Sequence, residues 1–175
     1  MSSAVAEVPA ETARSLARVR FAVEPWTHAR TDIALLLPLH WREIALDQDV
    51  IPLDMDWSAY AELERQGVLH VVTARTPSGM LVGYFLSFVR MHLHYRTSLT
   101  AFEDMFFLLP SWRRGWNGVR FFQFVEASWR ERGVERAAIS YKLHFRHGRV
   151  GRLLTYLGWQ ATETNYTKYL GTKRG

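Results

Sequence analysis

Residues 104–126 read DMFFLLPSWRRGWNGVRFFQFVE. An apolar run, 105–109, stops at Pro110. A basic turn follows, Arg113-Arg114-Gly115-Trp116-Asn117-Gly118, and a long amphipathic helix is predicted over 115–132, with Phe121, Phe124, Val125 and Trp129 at helical spacing. A strand that passes through such a turn directly into a helix is a natural anion cradle. The helix N-terminus presents amides without intrahelical acceptors and a partial positive charge. Glycine lets a ligand approach the backbone, and two arginines add charge for a pyrophosphate.

Downstream, Gly133 caps the helix, a strand is predicted over 136–142, and a short helix over 149–157 ends at Gly158. The segment 159–170 (WQATETNYTKYL) reads as a strand or hairpin. Upstream, the strand 99–109 is preceded by a polar connector, 92–98. Before it lie two β-rich runs, 68–75 and 80–91, on either side of Thr76-Pro77-Ser78-Gly79, a hairpin signal. Further back, 57–66 is a helix with Trp57, Tyr60 and Leu63 on one face, ended by Gly67. Residues 47–56 read as a loop, and 33–44 as a helix capped at Thr27 or Thr31 and interrupted near Pro38. Residues 17–26 alternate as a strand, and 1–16 form a flexible leader ahead of a single domain, 17–175. The order β-α-α-β-β-β-α-β-α-β predicts an α/β (α+β) domain with a mixed, mostly antiparallel central sheet flanked by helices.

Composition narrows the function classes. Of 175 residues, 48% are hydrophobic and 14% aromatic, as in a globular chain with a substantial core. With no cysteine, disulfides, thiolate metal sites and thiol nucleophiles are excluded. No run is long enough for a membrane span and the N-terminus lacks a signal-peptide pattern, so the expected location is the cytoplasm. The net charge of +5 suits an anionic partner, but no helix-turn-helix, zinc-finger or RNA-recognition motif supports nucleic acid as that partner.

The stretch 104–126 resembles the strand-four to helix-three motif of the GCN5-related N-acetyltransferases (GNAT). That motif runs as an apolar strand, a proline, then Arg/Gln-x-x-Gly-x-Gly/Ala opening a helix. Arg113 takes the Arg/Gln position and Gly118 the last Gly/Ala, while Trp116 replaces the middle glycine. The element order agrees over 17–170, and Leu153-Leu154-Thr155-Tyr156-Leu157-Gly158-Trp159 is similar to the family's closing helix. More narrowly, the chain resembles small phage-encoded GNAT-like proteins.

The resemblance implies an acyl-CoA-dependent N-acetyltransferase that moves an acetyl group from acetyl-CoA, or another acyl-CoA, to an amine by direct attack. The implied CoA contacts are the backbone of Phe107 and Leu108, the turn Arg113, Arg114, Gly115, Trp116, Asn117 and Gly118, and His147 near the pantetheine arm. The base is a carboxylate at the start of strand four, Glu103 or Asp104. Strand alternation sends the two to opposite faces, and Asp104, among Phe102, Met105 and Phe106, is favoured. Leu154 stands where the family's acid tyrosine is usual, so Tyr156, or Tyr166, is the substitute acid.

His92 and His94 lie near the expected acceptor entrance. An acidic group, Glu43, Asp47, Asp49, Asp54 and Asp56, suits a cationic amine, with Glu43 and Asp54 the named contacts. His144 and His147 alone are too few for a metal site, and none is expected. The acceptor is a small-molecule or macromolecular amine, and the protein a monomer or homodimer. Two alternatives stay open. One is a non-catalytic CoA-binding or protein-interaction module on this fold, favoured by Trp116 and Leu154. The other is transfer to an aminoacyl-tRNA or a nucleic-acid-linked amine.

Overall fold

In a computed structural model, residues 18–143 and 148–171 are described. The elements are β1 (Arg20–Val23), α1 (Trp26–Ile44), α2 (Trp57–Arg65), β2 (Leu69–Arg75), β3 (Leu81–Met91), β4 (Leu99–Leu108), a 3₁₀ turn (Pro110–Trp112), α3 (Asn117–Glu131), β5 (Arg136–Ala138) and α4 (Arg149–Tyr156). The sheet runs β1-β2-β3-β4-β5 in space. Its first four strands are antiparallel, and β5 lies parallel to β4.

Helices cover both faces, so the central strands read as continuous apolar runs rather than alternating ones. β2 is buried through six successive residues and β3 through seven. On one face α3 and α4 pack Phe121, Phe122, Val125, Trp129 and Leu154 against Val72, Phe85, Ala101 and Leu108. On the other, α1 and α2 pack Trp26, Ile33, Leu37 and Tyr60 against Val71, Tyr84, Leu86 and Phe107. The apolar face of α2 is thus a stack, with the Trp26 ring centroid 5.7 Å from Trp57 and 5.0 Å from Tyr60.

The hairpin forms as expected. Thr76 donates its amide to the Met80 carbonyl, and Gly79 takes φ +89°, a value that favours glycine. Three readings need correction. α1 begins at Trp26 after Pro25 and runs through Pro38 without a break, since its buried face, Trp26, Ala29, Ile33, Leu37 and His40, holds both halves to the sheet. β5 is shorter than the expected 136–142. The segment 159–170 forms neither the strand nor the hairpin expected; it is almost wholly exposed, and a strand without a partner is not stable. Among the described residues no helix is long and apolar enough to cross a membrane. Residues 1–16 lie outside the described residues.

Candidate active site

β3 and β4 stay in register except at one point. Leu86 pairs with Met105 and Ser87 with Glu103, which leaves Asp104 as the extra residue of a β-bulge. A bulge puts two successive side chains on one face. Asp104 and Met105 accordingly both face α1 and α2, where the Tyr60 hydroxyl donates to Asp104 Oδ2 at 2.6 Å and Met105 joins the Tyr84–Phe107 cluster. Glu103 turns the other way and accepts from the Ser140 amide (3.1 Å) and hydroxyl (2.9 Å). The expected opposition of the two acids therefore holds, and Glu103 is committed to the segment after β5.

Just ahead of the bulge the sheet opens on the β5 side. The pairs between β4 and β5 are Thr100–Arg136, Ala101–Ala137 and Phe102–Ala138, whereas β4 runs on to Leu108. Leu109 donates its amide to Val82 at 2.8 Å, toward β3. Because amide direction alternates along a strand, Phe107 also points at β3 while Phe106 and Leu108 point at the open side. Of the two backbone contacts expected, Leu108 is thus the one with an outward amide, and the Phe107 ring is buried against His40 at 4.9 Å.

Burial raises the carboxyl of Asp104 above its ordinary value, partly opposed by the Tyr60 hydrogen bond, and burial likewise raises Glu103. Burial, then the hydrogen bond to Asp104 and the charge of that carboxylate, keeps the Tyr60 phenol protonated, so it acts as donor. Beside this pair His40 Nδ1 meets the Tyr84 hydroxyl at 2.7 Å, and burial lowers His40 to about 4. Buried His70, 2.9 Å from Ser128 Oγ, is also lowered to about 4.

The two histidines carry a prediction. Each stays neutral in the folded chain between pH about 6.5 and about 4, where the unfolded chain takes up protons. Their contribution to stability is full above the unfolded value and is lost as pH falls through that window. Urea midpoints at about pH 7.5 and about pH 5 should drop less in a His40→Gln/His70→Gln double variant than in the wild type. The paired comparison removes the opposite effect of Glu103 and Asp104, and an equal drop would count against the assignment.

The loop from β4 to α3 differs from expectation in Arg113. Its guanidinium makes a bidentate ion pair with Glu43 at the end of α1, donates to the Leu108 carbonyl, and lies 5.2 Å from the Phe107 ring centroid. Arg113 is therefore a brace between α1 and the loop rather than a side chain extended toward α3, and Glu43 is consumed in the same pair. Neither the expected pyrophosphate contact of Arg113 nor the acceptor contact of Glu43 fits this arrangement.

The remaining loop residues are open to solvent at the start of α3. Arg114, Gly115 and Trp116 are exposed, and Gly115 has φ +56° with open space beside it. Asn117 anchors the turn by donating to the Trp112 carbonyl at 3.1 Å, and no side chain caps α3. The first-turn amides of Gly118 and Val119 therefore stay directed out of the helix. Trp116, 64% exposed, leans toward Tyr156, with centroids 6.2 Å apart. Trp112 is the buried one, in the α3 core.

Leu154 is 7% exposed and packs in that core, so the place of the usual acid is apolar. Tyr156 is 66% exposed on another face. His92 and His94 sit on the β3–β4 connection, with the His92 ring 5.8 Å from Phe102. Asp54 is exposed in the α1–α2 loop, and Asp56 caps α2 by accepting from Ala59 at 2.9 Å. His144 and His147 lie outside the described residues. Among the described residues no group of side chains could hold a metal ion. Sequence reasoning missed the pairing of Tyr60 with Asp104 and of His40 with Tyr84. Their signal was a tyrosine within an apolar element, Tyr60 on a helix face and Tyr84 in a strand, whose hydroxyl requires a partner once buried.

No protein-family model matches the chain, and no curated protein is significantly similar to it in sequence. Solved structures do match. The ribosomal-protein-alanine N-acetyltransferase of Brucella melitensis biovar Abortus 2308 is 14% identical with a TM-score of 0.67, over 89% of this chain and 99% of that one. The aminoglycoside 6'-N-acetyltransferase of Acinetobacter baumannii is 19% identical with a TM-score of 0.60, over 88% and 100%. A predicted acetyltransferase of Clostridium acetobutylicum, solved with acetyl-CoA, is 10% identical with a TM-score of 0.62, over 87% and 97%. At these identities the likeness concerns architecture alone: this chain has the fold of the GCN5-related N-acetyltransferases.

Proposed function

We propose that the protein is an N-acetyltransferase that uses acetyl-CoA and an amine acceptor. The observation that carries this reading is the layout of β4. It bulges at a half-buried carboxylate, separates from β5 beyond Phe102, and leads to an uncapped helix N-terminus. The bound form of a relative of this fold with acetyl-CoA supports the choice of donor.

The cradle fits the diphosphate of CoA. The amides of Gly118 and Val119 supply donors, Gly115 leaves room for close approach, and exposed Arg114 adds charge. Acetyl-CoA brings the thioester whose C–S bond breaks as the acceptor's C–N bond forms, leaving the amide and CoA thiol. The outward Leu108 amide is placed to donate to the acyl oxygen. Asp104 takes the proton from the acceptor nitrogen. Tyr60 holds Asp104 Oδ2, which leaves Oδ1 to the acceptor. Tyr156 is assigned to returning a proton to the departing thiolate. We place the activity in one domain, 17–175, in the cytoplasm.

Calorimetric titration of acetyl-CoA tests the reading, with desulfo-CoA and ATP as comparisons. Micromolar binding selective for acetyl-CoA supports it, and no binding refutes it. Gly118→Glu places a negative charge at the second position of α3. Its Cβ has ordinary room beside Leu153, 3.6 Å away, so the chain folds, but acetyl-CoA affinity should fall at least tenfold, about 1.4 kcal/mol. Retained affinity would remove Gly118 from the cradle.

A further inference from the structure

The face of β4 that carries Asp104 continues away from α3 through Phe102 and Thr100, because alternate residues share a face. Thr100 pairs with Arg90 of β3 on one side and with Arg136 of β5 on the other. One row across three strands therefore reads Arg90, Thr100, Arg136. The Arg90 guanidinium lies 5.5 Å from the Phe102 ring centroid and that of Arg136 5.8 Å from Tyr95. The His92 ring joins the two platforms, 5.8 Å from Phe102 and 4.9 Å from Tyr95. Neither arginine belongs to an ion pair among the described residues.

Four acids on or near this side of the chain have hydrogen-bond or ion-pair partners. Asp104 accepts from Tyr60, Glu103 from Ser140, Glu43 pairs with Arg113, and Asp56 caps α2. The row itself carries two positive charges, Arg90 and Arg136, the reverse of what a polycationic acceptor needs at that point. Two guanidiniums without carboxylates, braced on rings that keep them extended, match a doubly charged oxyanion better than a single carboxylate.

We propose that the acceptor is a primary amine on a carrier that also bears a phosphate group. The amine meets Asp104, the phosphate meets Arg90 and Arg136, and the carrier crosses Phe102. The proposal rests on Asp104 marking the reacting end. Four strand residues separate the two ends, roughly 13 Å. An amino acid's own carboxylate is too close to its amine to span this, whereas an extended phosphorylated carrier reaches.

Four probes with one chain length and different ends test it: aminooctyl phosphate, aminooctyl carboxylate, aminooctanol and diaminooctane. In an assay of CoA-thiol release, kcat/KM should be at least tenfold higher for the phosphate than for the alcohol and lowest for the diamine. An Arg90→Gln/Arg136→Gln double variant should lose the preference while acetyl-CoA binds with unchanged affinity. Calorimetry of aminooctyl phosphate alone should give weaker binding to that variant than to wild type, independent of turnover. Equal use of phosphate and alcohol, a preference for the carboxylate or the diamine, or equal phosphate binding by both proteins overturns the proposal. Arginine-dependent phosphate binding without any turnover would keep the phosphate site and refute the catalytic reading instead. Turnover of aminooctanol with no preference for phosphate would do the reverse.

Discussion

Asp104→Asn should lower kcat/KM for amine acetylation at least tenfold, about 1.4 kcal/mol of barrier, with acetyl-CoA affinity unchanged. Asparagine has the size of aspartate and its oxygen still accepts the Tyr60 hydroxyl, so the contact at 2.6 Å and the bulge persist while the proton acceptor is lost. A pH profile sharpens the test. The base must be ionised, and burial raises Asp104 above its ordinary value of 3.8. The wild-type rate should therefore rise with pH through a midpoint above that value, and this limb should be absent from the residual activity of the variant. A variant with the wild-type rate and limb would assign the proton transfer to another group.

The second large effect concerns stability. Phe85→Ala should cost about 3–5 kcal/mol, read as a lower urea midpoint at unchanged slope. Phe85 lies at the centre of β3 with no exposure. Its ring stacks on Phe106 at 5.7 Å and meets the edges or faces of Phe121, Phe122 and Trp129 at 6.4, 5.9 and 5.4 Å. Four aromatic neighbours from a strand and a helix cannot all collapse into the space, so the cavity term adds to the transfer term. A loss under about 1.5 kcal/mol would mean that the aromatic layer repacks freely.

The local grammar of the chain was readable where one principle acted alone. The Thr76–Gly79 turn announced a hairpin, and the spacing of Phe121, Val125 and Trp129 announced the buried side of α3. Reading failed where tertiary packing overrode a local rule. Pro38 should interrupt a helix, yet the buried stripe from Trp26 to His40 carries α1 through it. The segment 159–170 reads as a strand or hairpin, but a local reading does not state that a neighbour exists to bond it.

The candidate site shows the same division. Asp104 was legible as an acid set among aromatic residues. Its bulge was not, because a one-residue register shift against β3 is a property of the pairing and leaves no mark in the sequence of β4 alone. Arg113 was misread for the opposite reason. Its place in a motif suggested a ligand for phosphate, while its partner Glu43 lies 70 residues away, beyond the reach of any local pattern.

That distance gives the Glu43–Arg113 pair a mechanical meaning. One end is fixed to the last turn of α1, above the side of β4 assigned to the acceptor. The other is fixed to the loop that opens α3, on the side assigned to the donor. Arg113 also grips the Leu108 carbonyl between them. The bridge works as a strut that sets the gap between two substrates which never touch it, so the alignment of the reacting atoms is held by a part lying outside the reaction itself.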